Sequence, residues 1–302
     1  MCCCCPTVIS AIFCLWVQSG FSKGTVAGAL LFFPPDPPLY KFERFDKDVL
    51  DPRLQPPRFH NGGTVEAVKI PTVAQSTSHC AAIVYKVPPT NLETTSQGKK
   101  TMTIIYSHGN ATDIGAMYPL QAILSNSLEC NVVSYDYSGY GESGGTAMES
   151  NTYTDIAGVY EWTLDNVCFG DQSRIILYGQ SVGSGPCCRL SQKIEGLGGM
   201  ILHSPFMSGM RVLTPSRALA CLDVYPNIDR VRKTKCPVMV IHGRLDEEVD
   251  ITHGTSMHQA VPHHFKRDPW WVPDRGHNDI TEGPGKLMEY VGRLRSFMES
   301  LD

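Results

Sequence analysis

The chain has 302 residues, of which 42% are hydrophobic and 19% charged. That is the composition of a globular protein with a full core, and the length suits one large α/β domain plus a tail. A net charge of −4 argues against a nucleic-acid binder, so no nucleic acid is expected among its partners.

The chain opens Met1-Cys2-Cys3-Cys4-Cys5-Pro6. Four adjacent cysteines do not suit one tetrahedral metal, whose ligands are spaced by two or more residues. Twelve cysteines in all fit free thiols better than bridges in an intracellular chain. Behind the cluster runs an apolar stretch with Ile12, Phe13, Leu15 and Trp16, shorter than the roughly 20 residues that span a bilayer. No Lys or Arg precedes Lys23, so the positive start of a signal peptide is missing. Cysteines in this setting read as S-palmitoylation sites, which makes Cys2, Cys3, Cys4 and Cys5 the expected lipidation positions. Two or more acyl chains attach a protein stably where one attaches it reversibly. Val26, Leu30, Leu31, Phe32 and Phe33 are either a second interfacial piece or packing for the domain. Prolines 34, 35, 37, 38, 52, 56 and 57 mark a linker or extended strap.

From Val65 onward strand-like and helix-like runs alternate, which predicts a mostly parallel sheet with helices on both faces. Met102 to Ser107 reads as a buried strand, and His108-Gly109-Asn110-Ala111 as the loop after it. Gly141-Glu142-Ser143-Gly144-Gly145 matches G-x-S-x-G but follows the nearest strand by five residues and runs into a glycine pair, so Ser143 reads as a loop serine. The clearest helices are Ser150 to Val167 and Pro284 to Met298, the latter with Leu287, Tyr290, Val291, Leu294, Phe297 and Met298 on one face.

Gly179-Gln180-Ser181-Val182-Gly183 has the right context. The apolar run Arg174 to Tyr178 leads into it, and a helix-like stretch from Pro186 to Lys193 follows. This is a nucleophile elbow, a sharp strand-to-helix turn that exposes the serine hydroxyl. Such a serine needs a base and a group to orient the base, in chain order Ser, Asp or Glu, His. Cys236 to Ile241 reads as the next buried strand, and Asp246 is the first acid after it. Glu247, Glu248 and Asp250 are rivals better suited to face solvent or cap the next helix. After a last strand, Asp268 to Pro273, comes Gly276-His277, so His277 is the candidate base. His263 and His264 read as polar-loop residues, His253 and His258 as helix-surface residues, and His203 and His242 as strand-end residues satisfied in the core.

The oxyanion donors are backbone amides. Val182, after the nucleophile, supplies one; Asn110 is assigned as the second, with Ala111 the alternative. Residues 205–234 form a short helix-prone insertion expected to act as a lid that leaves the pocket open on one side. The basic cluster Arg230, Arg232, Lys233 and Lys235 reads as a solvated helix face or a contact for anionic lipid.

The segments His108 to Ala111, Ser134 to Gly141, Leu177 to Ser181, Leu202 to Pro205, Ser208 to Val212 and Gly276 to Ile280 occur in an order that closely resembles the alpha/beta-hydrolase domain-containing protein 17 family, from about Val65 to the C-terminus. The chain departs from that family in the irregular segment Phe33 to Gly63 and in Gly183-Ser184-Gly185-Pro186. The resemblance implies an α/β-hydrolase fold and a serine hydrolase that removes palmitate from S-acylated membrane proteins through an acyl-serine, with no metal or cofactor. It also implies a palmitoylated N-terminal cysteine cluster and attachment to membrane lipid on the cytoplasmic face, at plasma membrane and endosomes. The expected organisation is a membrane-associating segment over 1–33, a strap over 34–63 and a catalytic domain over 64–302. Two other readings compete: an esterase or monoacylglycerol lipase acting on free lipid, and a membrane-tethered, non-enzymatic interaction module. No oligomeric state is implied.

Overall fold

A computed structural model describes residues 32–42, 62–72, 79–88, 93–213 and 223–301. The lipidation candidates Cys2 to Cys5, nearly all of the expected membrane-associating segment and much of the strap therefore lie outside the described residues.

Among the described residues eight strands form one sheet: β1 (Thr64–Pro71), β2 (His79–Lys86), β3 (Thr103–Ser107), β4 (Asn131–Tyr135), β5 (Ile175–Gln180), β6 (Gly199–His203), β7 (Val238–Gly243) and β8 (Trp270–Val272). Their order across the sheet is β1-β2-β4-β3-β5-β6-β7-β8. β2 runs antiparallel to both β1 and β4, and every pairing from β4 through to β8 is parallel. Parallel neighbours need crossovers, and helices supply them.

Among the described residues seven α-helices connect and cover the strands: α1 (Ile114–Leu128), α2 (Glu149–Asn166), α3 (Ser184–Ser191), α4 (Gly209–Leu213), α5 (Asn227–Val231), α6 (Ile251–Ala260) and α7 (Lys286–Glu299). Central strands buried on both sides must be apolar at every position. In β5, Ile175 and Leu177 join one core cluster while Ile176 and Tyr178 join another. β7 divides the same way, with Val238 and Val240 against Met239 and Ile241. The first cluster takes residues of α2, α3, α5 and α6, and the second takes α1 and α7. Helices thus cover both faces, and the result is the α/β-hydrolase fold.

β8 is shorter than predicted: Asp268 and Pro269 fall outside it, because proline has no N–H to give to the ladder. The insertion between β6 and β7 holds α4 and α5, with residues 214–222 outside the described ones. The six described cysteines are all free and buried.

Residues 32–42 cross the domain as a strap. Phe32 is buried edge-on against Tyr140 and Tyr225, whereas Tyr40 and Phe42 belong to the core of the opposite face. The Tyr40 hydroxyl donates to Asp136 Oδ2 at 2.5 Å, and the Leu39 amide donates to Asp113 Oδ2 at 2.7 Å. Tyr40 fits because α1 and the loop after β4 present glycines to it. A Cβ on Gly115 would come within 2.6 Å of the Tyr40 Cβ.

The predicted basic face is only partly solvated. Arg230 stacks on the Tyr153 ring at 4.6 Å and sits 3.7 Å from Glu149, so its cation is used inside the fold.

Candidate active site

Ser181 stands between β5 and α3 with φ of 50°. That left-handed conformation is costly for a residue with a side chain and is held by the turn around it. The two motif glycines make the turn possible. A Cβ on Gly179 would meet the Gly183 carbonyl oxygen at 2.6 Å, and one on Gly183 would meet the Ser107 carbonyl oxygen at 2.1 Å. Both obstacles are backbone atoms, which cannot rotate away. Gly183→Ala is therefore expected to cost more than about 3 kcal/mol and to abolish hydrolysis. Gly292→Ala on α7, where nothing lies within 4 Å of an added Cβ, leaves both unchanged or gains about 0.5 kcal/mol. Thermal unfolding of the two variants beside the parent checks the pair.

The structure brings the three separated candidates together. His277 Nε2 lies 3.0 Å from Ser181 Oγ, and His277 Nδ1 lies 2.7 Å from Asp246 Oδ2. An ionised carboxylate only accepts, so Nδ1 carries the proton and Nε2 is left to accept from the serine. Asp246 Oδ1 accepts from the amides of Glu248 and Val249 at 3.0 and 2.7 Å, which fixes the carboxylate in the loop after β7. Burial by itself would raise its pKa. Hydrogen bonds from His242, His277 and the Val249 amide, with the His277 charge, outweigh burial and hold it well below the usual carboxylate range. Asp250 instead caps α6, accepting from the Thr252 amide at 2.8 Å. Glu248 is exposed and accepts from Asn278.

A second histidine on Asp246 was not foreseen. His242 Nε2 is 3.1 Å from Asp246 Oδ2 and 2.8 Å from the Val249 carbonyl oxygen. Both neighbours are acceptors, so this nitrogen donates. The sequence hint was a strand-end histidine four residues before the acid. His253 is not a helix-surface residue: it is buried and accepts from the Met207 amide at 3.1 Å.

On the other side of Ser181 lies the loop after β3. A Cβ on Gly109 would be 3.9 Å from the Ser181 Cβ, so this loop faces the nucleophile, and Asn110 lines the same cleft. The Asn110 side chain is tied down: its Oδ1 accepts from Phe33 N at 2.9 Å, from Tyr140 Oη at 2.7 Å and from Ala111 N at 3.0 Å. Ala111 takes φ of 53°. Beneath the loop His108 is fully buried, with Nε2 3.1 Å from Asp136 Oδ1, and Tyr137 donates to the His108 carbonyl at 2.6 Å. Val182, in the 3-10 turn after the nucleophile, completes the surroundings. Ser143 is remote from this chemistry: its Oγ accepts from Ala81 N and donates to the Asp136 carbonyl, both at 2.9 Å.

These groups open into a cleft of about 740 Å³, within the range of small-molecule sites. Ser181, His277 and Asn110 line it together with the apolar side chains of Phe33, Met117, Leu120 and Ile280 and with polar ones that include Gln180, Glu248 and Asn278. His203 also borders it. Burial, then repulsion from His277 and His242, pushes its pKa down to about 3, so it is neutral and bonds Tyr178 Oη at 2.7 Å. Among the described residues no helix is long and apolar enough to cross a membrane.

A family model described as Serine aminopeptidase, S33, matches residues 98–226. The Caenorhabditis elegans alpha/beta hydrolase domain-containing protein aho-3 is 44% identical over 199 residues, 65% of this chain and 57% of that protein. Homo sapiens alpha/beta hydrolase domain-containing protein 17C is 42% identical over 198 residues, again 65% of this chain and 57% of the relative. The match thus spans less than two thirds of these relatives' own length. Among solved structures, Pyrococcus furiosus esterase Pf2001 superposes with a TM-score of 0.62 at 18% identity, over 90% of this chain and 98% of that one. A Pyrobaculum calidifontis esterase gives 0.61 at 16%, over 79% and 86%. At such identity the likeness is one of fold.

Proposed function

We propose that this chain, which is 42–44% identical to alpha/beta hydrolase domain-containing relatives over 65% of its length, is a serine thioesterase whose substrates are S-palmitoylated membrane proteins. The observation that carries this reading is the run of contacts Asp246–His277–Ser181 in a cleft that also holds apolar side chains. Ser181 Oγ bonds to the thioester carbonyl carbon as its proton passes to His277 Nε2. The carbonyl oxygen takes the negative charge, facing the Asn110 and Val182 amides. Collapse breaks the carbon–sulfur bond, and the cysteine sulfur leaves with the proton held by His277. Water, activated by the same imidazole, then bonds to the acyl-serine carbon and releases palmitic acid and Ser181. Asp246 fixes the imidazole tautomer and balances its charge in each half.

The cleft supports an acyl chain because Phe33, Met117, Leu120 and Ile280 offer it apolar side chains. On this reading the chain is held at the cytoplasmic face of membranes through acyl groups on Cys2 to Cys5. Turnover of palmitate on S-acylated membrane proteins, compared between the parent and Ser181→Ala, tests the substrate. The expected outcome is release by the parent alone. Unchanged palmitate turnover alongside rapid cleavage of monoacylglycerols or short esters would make the protein a lipase or esterase on free lipid instead.

A further inference from the structure

α1 is a surface helix with an apolar outer side. Its fifteen residues, IGAMYPLQAILSNSL, include no charged side chain. Tyr118, Ala122 and Leu128 point into the core, as an amphipathic helix requires. The outward side should then be polar, yet Ala116, Pro119 and Ile123 are exposed there, and Met117 and Leu120 are partly so. These positions recur at the spacing of one helix face. α7, on the same side of the sheet, has Met288 exposed but surrounds it with charge, placing Glu289, Arg293, Arg295 and Glu299 outward. The apolar strip continues onto the strap, where Phe33 is 55% and Leu39 53% exposed. A contiguous exposed apolar surface beside a site marks a contact.

We propose that the outer face of α1, together with Phe33 and Leu39 of the strap, is a lipid-docking surface that rests in the headgroup–acyl boundary of a bilayer and admits an acyl chain to the cleft. Three observations choose this occupant. Met117 and Leu120 belong at once to the strip and to the lining of the cleft that holds Ser181, so a chain drawn from a bilayer meets these apolar side chains on its way in. The chain before Phe32, with its cysteine cluster and apolar stretch, joins the described structure beside this same cleft. The strip has no charge and little to hydrogen-bond, which suits immersion among acyl chains better than a protein interface with its polar rim. The proposal takes its substrate from the thioesterase reading, but the surface can be tested apart from it.

The test uses the full chain made in bacteria, without acyl groups, and neutral phosphatidylcholine vesicles carrying a palmitoyl-thioester peptide. Ile123→Glu puts a charge on the strip without touching the cleft. Phe169→Glu puts the same charge on a residue 66% exposed beyond the end of α2. Ile123→Glu is expected to cut hydrolysis of the embedded thioester at least about tenfold while p-nitrophenyl acetate in solution is cleaved as by the parent, and Ile123→Trp and Phe169→Glu are expected to keep both rates. Equal rates for the two glutamate variants on vesicles would overturn the proposal. A parent that cleaves the soluble ester but never the embedded thioester defeats the thioesterase reading instead. Co-sedimentation with the same vesicles then decides the surface: it stands if Ile123→Glu alone loses binding, and falls otherwise. A parent dimer that Ile123→Glu dissociates, seen by light scattering, would assign the strip to a second copy and overturn it.

Discussion

Ser181→Ala is expected to lower kcat by about 10⁴- to 10⁶-fold with little change in KM. The side chain removed is the one that touches the candidate base, 3.0 Å from His277 Nε2, and neither nearby serine of the described residues is placed to replace it. Ser143, which shares the motif letter for letter, is engaged at both ends by Ala81 and Asp136. Ser184, three residues on, is fully buried and donates to the Ser181 carbonyl at 2.6 Å. Substrate contacts along Phe33, Met117 and Leu120 survive the change, so binding persists while the acyl-serine cannot form. Residual turnover reflects the amides facing the oxyanion and bound water. The same variant should not react with a fluorophosphonate probe that labels the parent. Equal labelling of both would place the nucleophile elsewhere, and absence of labelling in both would favour the interaction module.

The centre of this site was legible because each part obeys a local rule. The elbow needs glycines two before and two after the serine, and Gly183 shows why: its position lies against the Ser107 carbonyl of the neighbouring strand. The acid and base follow strand ends, so chain order alone singled out Asp246 and His277. What was illegible depends on segments that meet only after folding. Nothing near Tyr40 in the sequence announces Asp136, 96 residues away, nor does Phe33 announce Asn110. His253 and Arg230 were read as solvated because helix-surface patterns look alike until a neighbouring element covers them. The α1 strip is hidden in the sequence for a related reason. An apolar helix reads as core from the sequence, and only the fold shows which of its residues remain outside.

Asp246→Asn is expected to lower kcat by about 10⁴-fold, and the local geometry gives it a consequence beyond the usual one. An asparagine amide placed where Oδ2 now accepts can donate to His277 Nδ1. The imidazole proton then moves to Nε2, where it faces Ser181 Oγ and cannot take its proton. In addition, Oδ2 accepts from His242 Nε2, 3.1 Å away, so the donor of a fully buried histidine loses one of its two acceptors and keeps only the Val249 carbonyl at 2.8 Å. The loop after β7 is held by the same carboxylate through the Glu248 and Val249 amides. The variant should therefore lose stability as well as rate. The sign of its pH dependence follows from the depressed pKa of Asp246. A carboxyl whose pKa is lower in the folded state contributes stability above its unfolded value, about 3.9, and loses it as the pH falls toward the folded value. The gap in Tm between parent and variant is thus expected to be constant from pH 5 to 7 and to narrow below about pH 4. A gap that widens with acid would mean that Asp246 is not held ionised by its two histidines, and the assignment of the proton to His277 Nδ1 would fall with it.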